Sequence, residues 1–266
     1  MLKDISFLIH TFNKKKLIEK WFFLRYSDTD FHLRIRILVK EEESISEVLS
    51  LFHKRLGRLI KERIVWNIQI DTYSRELERY GGELIEEAES IFCIDSNCIV
   101  SILKKLRYQN ENYRWMIALK LIDSLLSNFT LDLASKQAIM QELSLAFKKE
   151  FNFNEYNSKQ FNTKYREHKA TVEKVLKETI EDDFFKTLYP VILRKSRKMK
   201  PVVLLLKTKM ERNKTLITLP SLLGSYIHMM LNRLFRSKNR IHELVLYDFM
   251  NRYYKSEVAK MKYEKV

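Results

Sequence analysis

The strand-like patterns of this chain are concentrated before residue 72, where apolar residues come in short blocks or alternate with polar ones on either side of one helical stretch. After residue 72 they recur at helical spacing almost to the end. Trp21-Phe-Phe-Leu-Arg-Tyr26 predicts a buried strand, and Ser27-Asp-Thr-Asp30 a turn. Phe31 to Val39 alternates cleanly, with Leu33, Ile35 and Ile37 on one face and His32, Arg34 and Arg36 on the other. Glu42 to Lys61 fits a helix that turns Ile45, Val48, Leu49, Phe52, Leu56 and Leu59 inward. Residues 1–20 read as a lead-in ending in a basic cluster, Lys14 to Lys20.

A third alternating stretch, Ile64 to Ile70, predicts a strand with Ile64, Trp66, Ile68 and Ile70 in the core. Asp71 or Thr72 can cap a short helix after it, and Gly81-Gly82 can stop that helix, because glycine accepts a left-handed backbone. Arg75, Glu76 and Arg79 fall on this turn. Further on, Leu84, Ile85, Ala88, Ile91 and Phe92 make a helical stripe, and Asp95-Ser96 reads as the cap of a new helix through Leu106. From Asn110 the pattern stays helical, with expected breaks at Ser127-Asn128, Asn152–Asn162, Pro190, Pro201 and Pro220. The expectation is an α+β chain, a small N-terminal β-sheet with a larger, mostly helical remainder, forming a single domain over 1–266.

Composition supports long helices, since there are only 4 glycines and 3 prolines in 266 residues. No apolar run is long enough to span a bilayer and no secretory signal is visible, so a cytoplasmic protein is expected. Cys93 and Cys98 suit reduced thiols, and the six histidines form no ligand cluster, so neither a metal nor a cofactor is expected. A net charge of +15 is the strongest compositional signal. Ten Lys or Arg against the single acid Glu211 lie between Lys186 and Lys214, a field that would attract tRNA or an acidic partner.

Candidate chemistry gathers at a few positions. Arg34 and Arg36, two apart on a strand, set their guanidinium groups about 7 Å apart on one sheet face, a grip for carboxyl or carbonyl groups. The same spacing also suits the charged outer face of an edge strand, and the residues leave both open. Glu76 and Arg79 are three apart and can pair, which by itself most often means a solvated surface pair. In the late helix Ser221 to Phe235, Leu222, Leu223, Tyr226, Ile227, Met230, Leu231 and Leu234 form the apolar stripe. His228 falls opposite, near Ser225 and Asn232, where it is either exposed or lines a cleft.

Five segments together carry a family resemblance: Trp21 to Asp28, His32-Leu-Arg-Ile-Arg36, Thr72-Tyr-Ser-Arg-Glu-Leu-Glu-Arg-Tyr-Gly-Gly82, Ala88 to Ser96, and Ser225-Tyr-Ile-His-Met-Met-Leu-Asn-Arg-Leu234. They resemble the thiopeptide-type bacteriocin biosynthesis family. That family forms the C-terminal glutamate-elimination domain of class I lanthipeptide dehydratases and also occurs as a separate protein. The resemblance implies β-elimination of glutamate from glutamylated Ser or Thr of a ribosomally made precursor peptide, a lyase reaction that leaves dehydroalanine or dehydrobutyrine. It assigns the site to Arg34, Arg36, Glu76, Arg79 and His228, with the three arginines binding the glutamyl group. It also implies a separate glutamylating protein that uses glutamyl-tRNA, because the chain has no counterpart of that domain. Two other functions stay open at this stage: a pyridine synthase joining two dehydroalanines, and a non-catalytic subunit that binds leader peptide or tRNA through 186–214. A homodimer is compatible with the sequence.

Overall fold

A computed structural model of the chain describes residues 1–28, 30–106, 109–213 and 217–263. Thr29 of the expected turn and Lys214 of the basic run lie outside the described residues. The fold is mostly helical, with one small two-stranded antiparallel sheet near the N-terminus, in line with the sequence pattern.

The expected lead-in is a helix, α1 (Leu2–Lys14). Ile5, Leu8, Ile9 and Phe12 recur at three- and four-residue intervals and are all buried, so the basic end of this segment hides an amphipathic start. Strand β1 (Ile18–Tyr26) pairs with β2 (His32–Val39), with Phe22 opposite Arg36 and Leu24 opposite Arg34. Phe22, Phe23 and Leu24 are buried in succession, so β1 is covered on both faces. Helix α2 (Ser44–Lys61) buries Val48, Leu56 and Leu59, while Ile45 and Leu49 stay exposed against expectation.

The stretch 64–70 is not a strand. It runs without regular structure and without a sheet partner, and Trp66 and Ile70 are 76% and 72% exposed. Alternation supplied the period of a strand, but a strand also needs a neighbour for its backbone groups, and among the described residues no strand pairs with this segment. The short helix that follows, α3 (Leu77–Tyr80), is not capped by Asp71 or Thr72; Asp71 Oδ1 instead accepts from the N–H of Thr72, and the helix starts after Glu76. Gly81 does end it, with φ +77° and ψ 126°, a backbone that a side chain would strain.

Asp95 and Ser96 cap nothing. Helix α4 (Ile85–Leu106) is continuous through them, and both are fully buried in its middle. Their polarity is used elsewhere: Ser96 Oγ accepts from the N–H of Phe23 at 3.3 Å, and Asp95 pairs with Lys195 at 2.9 Å. The remaining helices are α5 (Tyr113–Asn128), α6 (Leu133–Glu150), α7 (Glu155–Leu176), α8 (Asp183–Lys186), α9 (Tyr189–Asn213), α10 (Leu219–Leu234) and α11 (Asn239–Tyr263). The expected loop at 152–162 is largely the first turns of α7. Asn154 and Asn157 exchange side-chain and backbone bonds as a reciprocal cap, so the asparagine-rich run starts a helix rather than replacing one.

Pro201 does not break α9 either. A proline inside a helix costs about 3 kcal/mol. Ile192, Met199, Val203 and Leu206 on its two sides are buried, each contributing roughly 1.5–3 kcal/mol, so the packing prevails. The core is one connected cluster in which α4 packs on β1, α9 and α10.

The two edges of the hairpin differ. Along β1, the outward backbone groups are taken by side chains: Arg25 N–H donates to Asn232 Oδ1, Arg25 C=O accepts from Asn232 Nδ2, and Phe23 C=O accepts from Arg233 Nε at 2.8 Å. With Ser96 on Phe23 N–H, that edge is closed by α4 and α10. Among the described residues, strand β2 has no strand partner beyond β1.

Candidate active site

Even-numbered residues of the hairpin share one face. Phe22, Leu24 and Tyr26 of β1 and Arg34 and Arg36 of β2 line a cleft of about 280 Å³. Its opposite wall is the irregular segment Asp71–Ser74 with Glu76, and Tyr80, Phe92 and Met229 close it from α3, α4 and α10. A larger but open hollow along α7, lined by Lys159, Thr163 and Glu167, is a solvated helix face with no comparable convergence.

Each arginine is held differently. The Arg34 guanidinium lies 3.8 Å above the Tyr26 ring and pairs with Asp28 at 2.7 Å, while its Nε donates to His32 Nε2 at 3.2 Å. The Arg36 guanidinium sits 4.8 Å from the centre of the Tyr73 ring, and its buried Nε has no hydrogen-bond partner among the described residues. A buried, unsatisfied donor on a cation is a strong attractor for an incoming carboxylate. Tyr73 is itself pushed up to about 12, by burial first and then by Glu89 and Glu76, so it stays a phenol that can donate.

The segment opposite β2 is tied down by Arg75, whose Nε and Nη2 bind the two oxygens of buried Glu89 at 3.0 and 2.9 Å. Arg75 is thereby an anchor for 71–76 rather than a free cation. Glu76 and Arg79 do pair, at 3.4 Å, and Arg79 Nε also reaches Ser225 Oγ at 3.3 Å, which links α3 to α10. Beneath them Tyr80 stacks on Tyr226 at 5.9 Å, and burial raises both phenols far above their usual range.

His228 stands on α10, one turn beyond Ser225 and next to Met229 of the cleft. All seven residues of the predicted apolar stripe are buried, and His228 faces away from it, partly exposed. Its ring turns to α11, where Nδ1 lies 2.8 Å from Glu243 Oε1. Opposite a carboxylate, which only accepts, Nδ1 is the donor, and in the neutral ring Nε2 is then the nitrogen with a lone pair for another group. Glu243 is fully buried and also meets Arg240 and Tyr247, each at 3.4 Å. Of the five sequence-predicted residues, Arg34, Arg36 and Glu76 therefore share the cleft. Arg79 joins through Glu76, whereas His228 is not among the residues that line the cleft. It stands on α10, which contributes Met229 to the cleft and Ser225 to Arg79, and its ring is turned to Glu243 of α11.

Sequence reasoning missed Glu243, because a lone acid on a mixed helical pattern carries no signal of its partner. It also misread Lys195 as part of the exposed basic run. Lys195 is only 3% exposed and forms, with Asp95 and fully buried Arg233, a charged cluster under β1. Burial lowers Arg233 to about 10, with Asp95 opposing, so it remains a cation at neutral pH. No group of three potential metal-ligating side chains occurs among the described residues, and no helix among them is long and apolar enough to cross a membrane.

Comparison with known proteins gives this geometry a context. The subtilin biosynthesis protein SpaB of Bacillus subtilis is 28% identical over 239 residues, covering 85% of this chain and 21% of SpaB. The nisin biosynthesis protein NisB of Lactococcus lactis subsp. lactis is 38% identical over 98 residues, 35% of this chain and 9% of NisB. The chain thus spans about a fifth or less of these relatives. In fold it is similar to the tRNA dependent lantibiotic dehydratase MibB from Microbispora sp. 107891, with a TM-score of 0.70 and 19% identity over 94% of this chain and 26% of that one. It is also similar to TsrL, with a TM-score of 0.65 and 12% identity over 96% of this chain and 89% of that one. Residues 1–254 match the family described as lantibiotic biosynthesis dehydratase C-term, and the chain belongs to that family.

Proposed function

We propose that the protein is a lyase that eliminates glutamate from glutamylated Ser or Thr side chains of a precursor peptide. The observation that carries this reading is the pair Arg34 and Arg36, presented from alternate positions of one strand into a closed-backed cleft, with a buried unbonded donor on Arg36. The glutamyl group has a free carboxylate and an ester carbonyl, and fixed guanidinium groups match both. Elimination removes the Cα proton, forms the Cα–Cβ double bond and breaks the Cβ–O bond, whose electrons leave on the glutamate carboxylate. Arg34, Arg36 and Arg79 neutralise that carboxylate as charge develops, as preorganised cations aimed at a leaving group do. Glu76 holds Arg79, and Nε2 of His228 handles the proton.

The glutamyl group is supplied by a glutamyl-tRNA-dependent activity outside these residues. The expected contact of 186–214 with tRNA or an acidic partner belongs to that assembly and to the exposed Arg194, Arg197 and Lys198, not to Lys195. Offering the purified protein a glutamylated peptide and, separately, a peptide already containing two dehydroalanines tests the reading. Loss of glutamate from the first, with the second unchanged, is expected. Turnover of only the second would assign cycloaddition instead, and turnover of neither, with the protein folded, would leave a binding subunit.

A further inference from the structure

The hairpin that carries Arg34 and Arg36 has one sealed edge and one open one. In an antiparallel pair, residues alternate between bonding to the partner strand and pointing their N–H and C=O outward. Phe23 and Arg25 point outward, because their backbone groups bond to Ser96, Arg233 and Asn232. Their cross-strand partners, Ile35 and Leu33, therefore point outward on the other side, as does Ile37, the partner of Trp21. Among the described residues no hydrogen bond is made to the backbone groups of these three along that edge. Every residue of β2 is at least partly exposed, whereas β1 is largely buried.

We propose that this edge of β2 docks the precursor peptide as a third, antiparallel strand, with the glutamylated side chain on the Arg34 and Arg36 face. The proposal rests on the elimination reading for the identity of the side chain, and extends it to how the peptide backbone is held. An added strand would bond to Leu33, Ile35 and Ile37 and place every second side chain beside the cleft-lining arginines. The residue opposite Arg34 or Arg36 would then enter the cleft while its own N–H points away from β2. Charge selects the occupant. A second copy of this chain paired here about a two-fold axis would set the arginines of both copies on one face, where like charges facing each other are destabilising. A strand bearing an acidic adduct brings the opposite charge to the same place. Main-chain bonding also suits a peptide modified at several positions, since the register can shift by two residues without changing the face.

Two measurements test this. In the first, amide exchange at Leu33, Ile35 and Ile37 is followed by NMR while a synthetic alanine–threonine nonapeptide is added. Its central 2,3-diaminopropionyl residue carries glutamate through an amide, so binding is read without turnover. Exchange at those three amides should slow by about tenfold or more at saturation, with His32, Arg34 and Arg36 little changed because β1 already bonds them. Absence of protection would overturn the proposal. So would protection that appears without peptide and grows with protein concentration, which marks a second copy on the edge. In the second, elimination from the corresponding glutamyl-serine peptide is compared across a series N-methylated at one position each. Methylation at residues adjacent to the modified serine should raise KM roughly tenfold, and methylation two residues away should have little effect. A flat series, with elimination intact, would retire the strand while leaving the chemistry standing. Protection of the edge with no elimination from any peptide would do the reverse.

Discussion

At Glu243 a carboxylate with no exposed surface receives Nδ1 of His228, and Arg240 and Tyr247 crowd the same group. That arrangement fixes the imidazole rather than touching the substrate. Replacing Glu243 with Gln keeps the shape and removes the charge, so kcat for elimination should fall about 10²-fold with KM little altered. Steady-state kinetics with a glutamylated peptide, alongside a thermal melt, would check it. His242, one residue away, has a different part. Its ring lies parallel to Phe235 at 4.0 Å, and burial first, then Arg114, Lys164 and Lys238, hold its pKa below the ordinary 6.5. The folded protein binds this proton less readily than the unfolded chain does. Stability from His242 is therefore complete above 6.5 and is lost as the pH falls from there toward the folded value. His242→Phe should flatten that acid-side slope, as read from urea midpoints on either side of 6.5.

Among elements, the turn at Gly81 sets the position of Arg79 and Glu76. Its φ of +77° would strain any side chain, although the nearest atoms, on Ile217 and Leu84, sit at ordinary contact distances. Gly81→Ala should cost about 1–3 kcal/mol in chemical denaturation, almost all from the backbone. The glycine was legible in the sequence for that reason, as were β2, the α10 stripe and the Glu76–Arg79 pair, whose spacing alone dictates which residues share a face. What failed to show depended on partners far along the chain. Ile64 to Ile70 has the period of a strand but no neighbour to pair with. Asp95 and Ser96 look like a cap until Lys195 and the Phe23 backbone are placed beside them. The asparagines near 154 look like a loop, though two of them in register make the start of α7.

For the whole molecule, the net charge of +15 divides into cations with different duties. Arg34 and Arg36 face the cleft, Lys195 and Arg233 lie under β1, and Arg194, Arg197 and Lys198 are exposed on α9. Reversing the last three together should leave the elimination rate on a free glutamylated peptide within about twofold, since none of them lines the cleft and exposed charges are screened by salt. Lys195→Glu alone should unfold the protein, because it places two acids together in a buried cluster. Circular dichroism of the two variants, measured before any activity, separates surface from core. The central claim is that guanidinium groups of β2 and α3 and the imidazole of α10 act on one glutamyl group. Its most direct test is mass spectrometry of a glutamylated peptide during a single turnover by wild-type, Arg36→Ala and His228→Ala proteins. The account predicts that the wild type releases intact glutamate and leaves the dehydro residue, while each variant keeps the adduct at least 10²-fold longer. Equal rates in all three, with the fold intact, would contradict it.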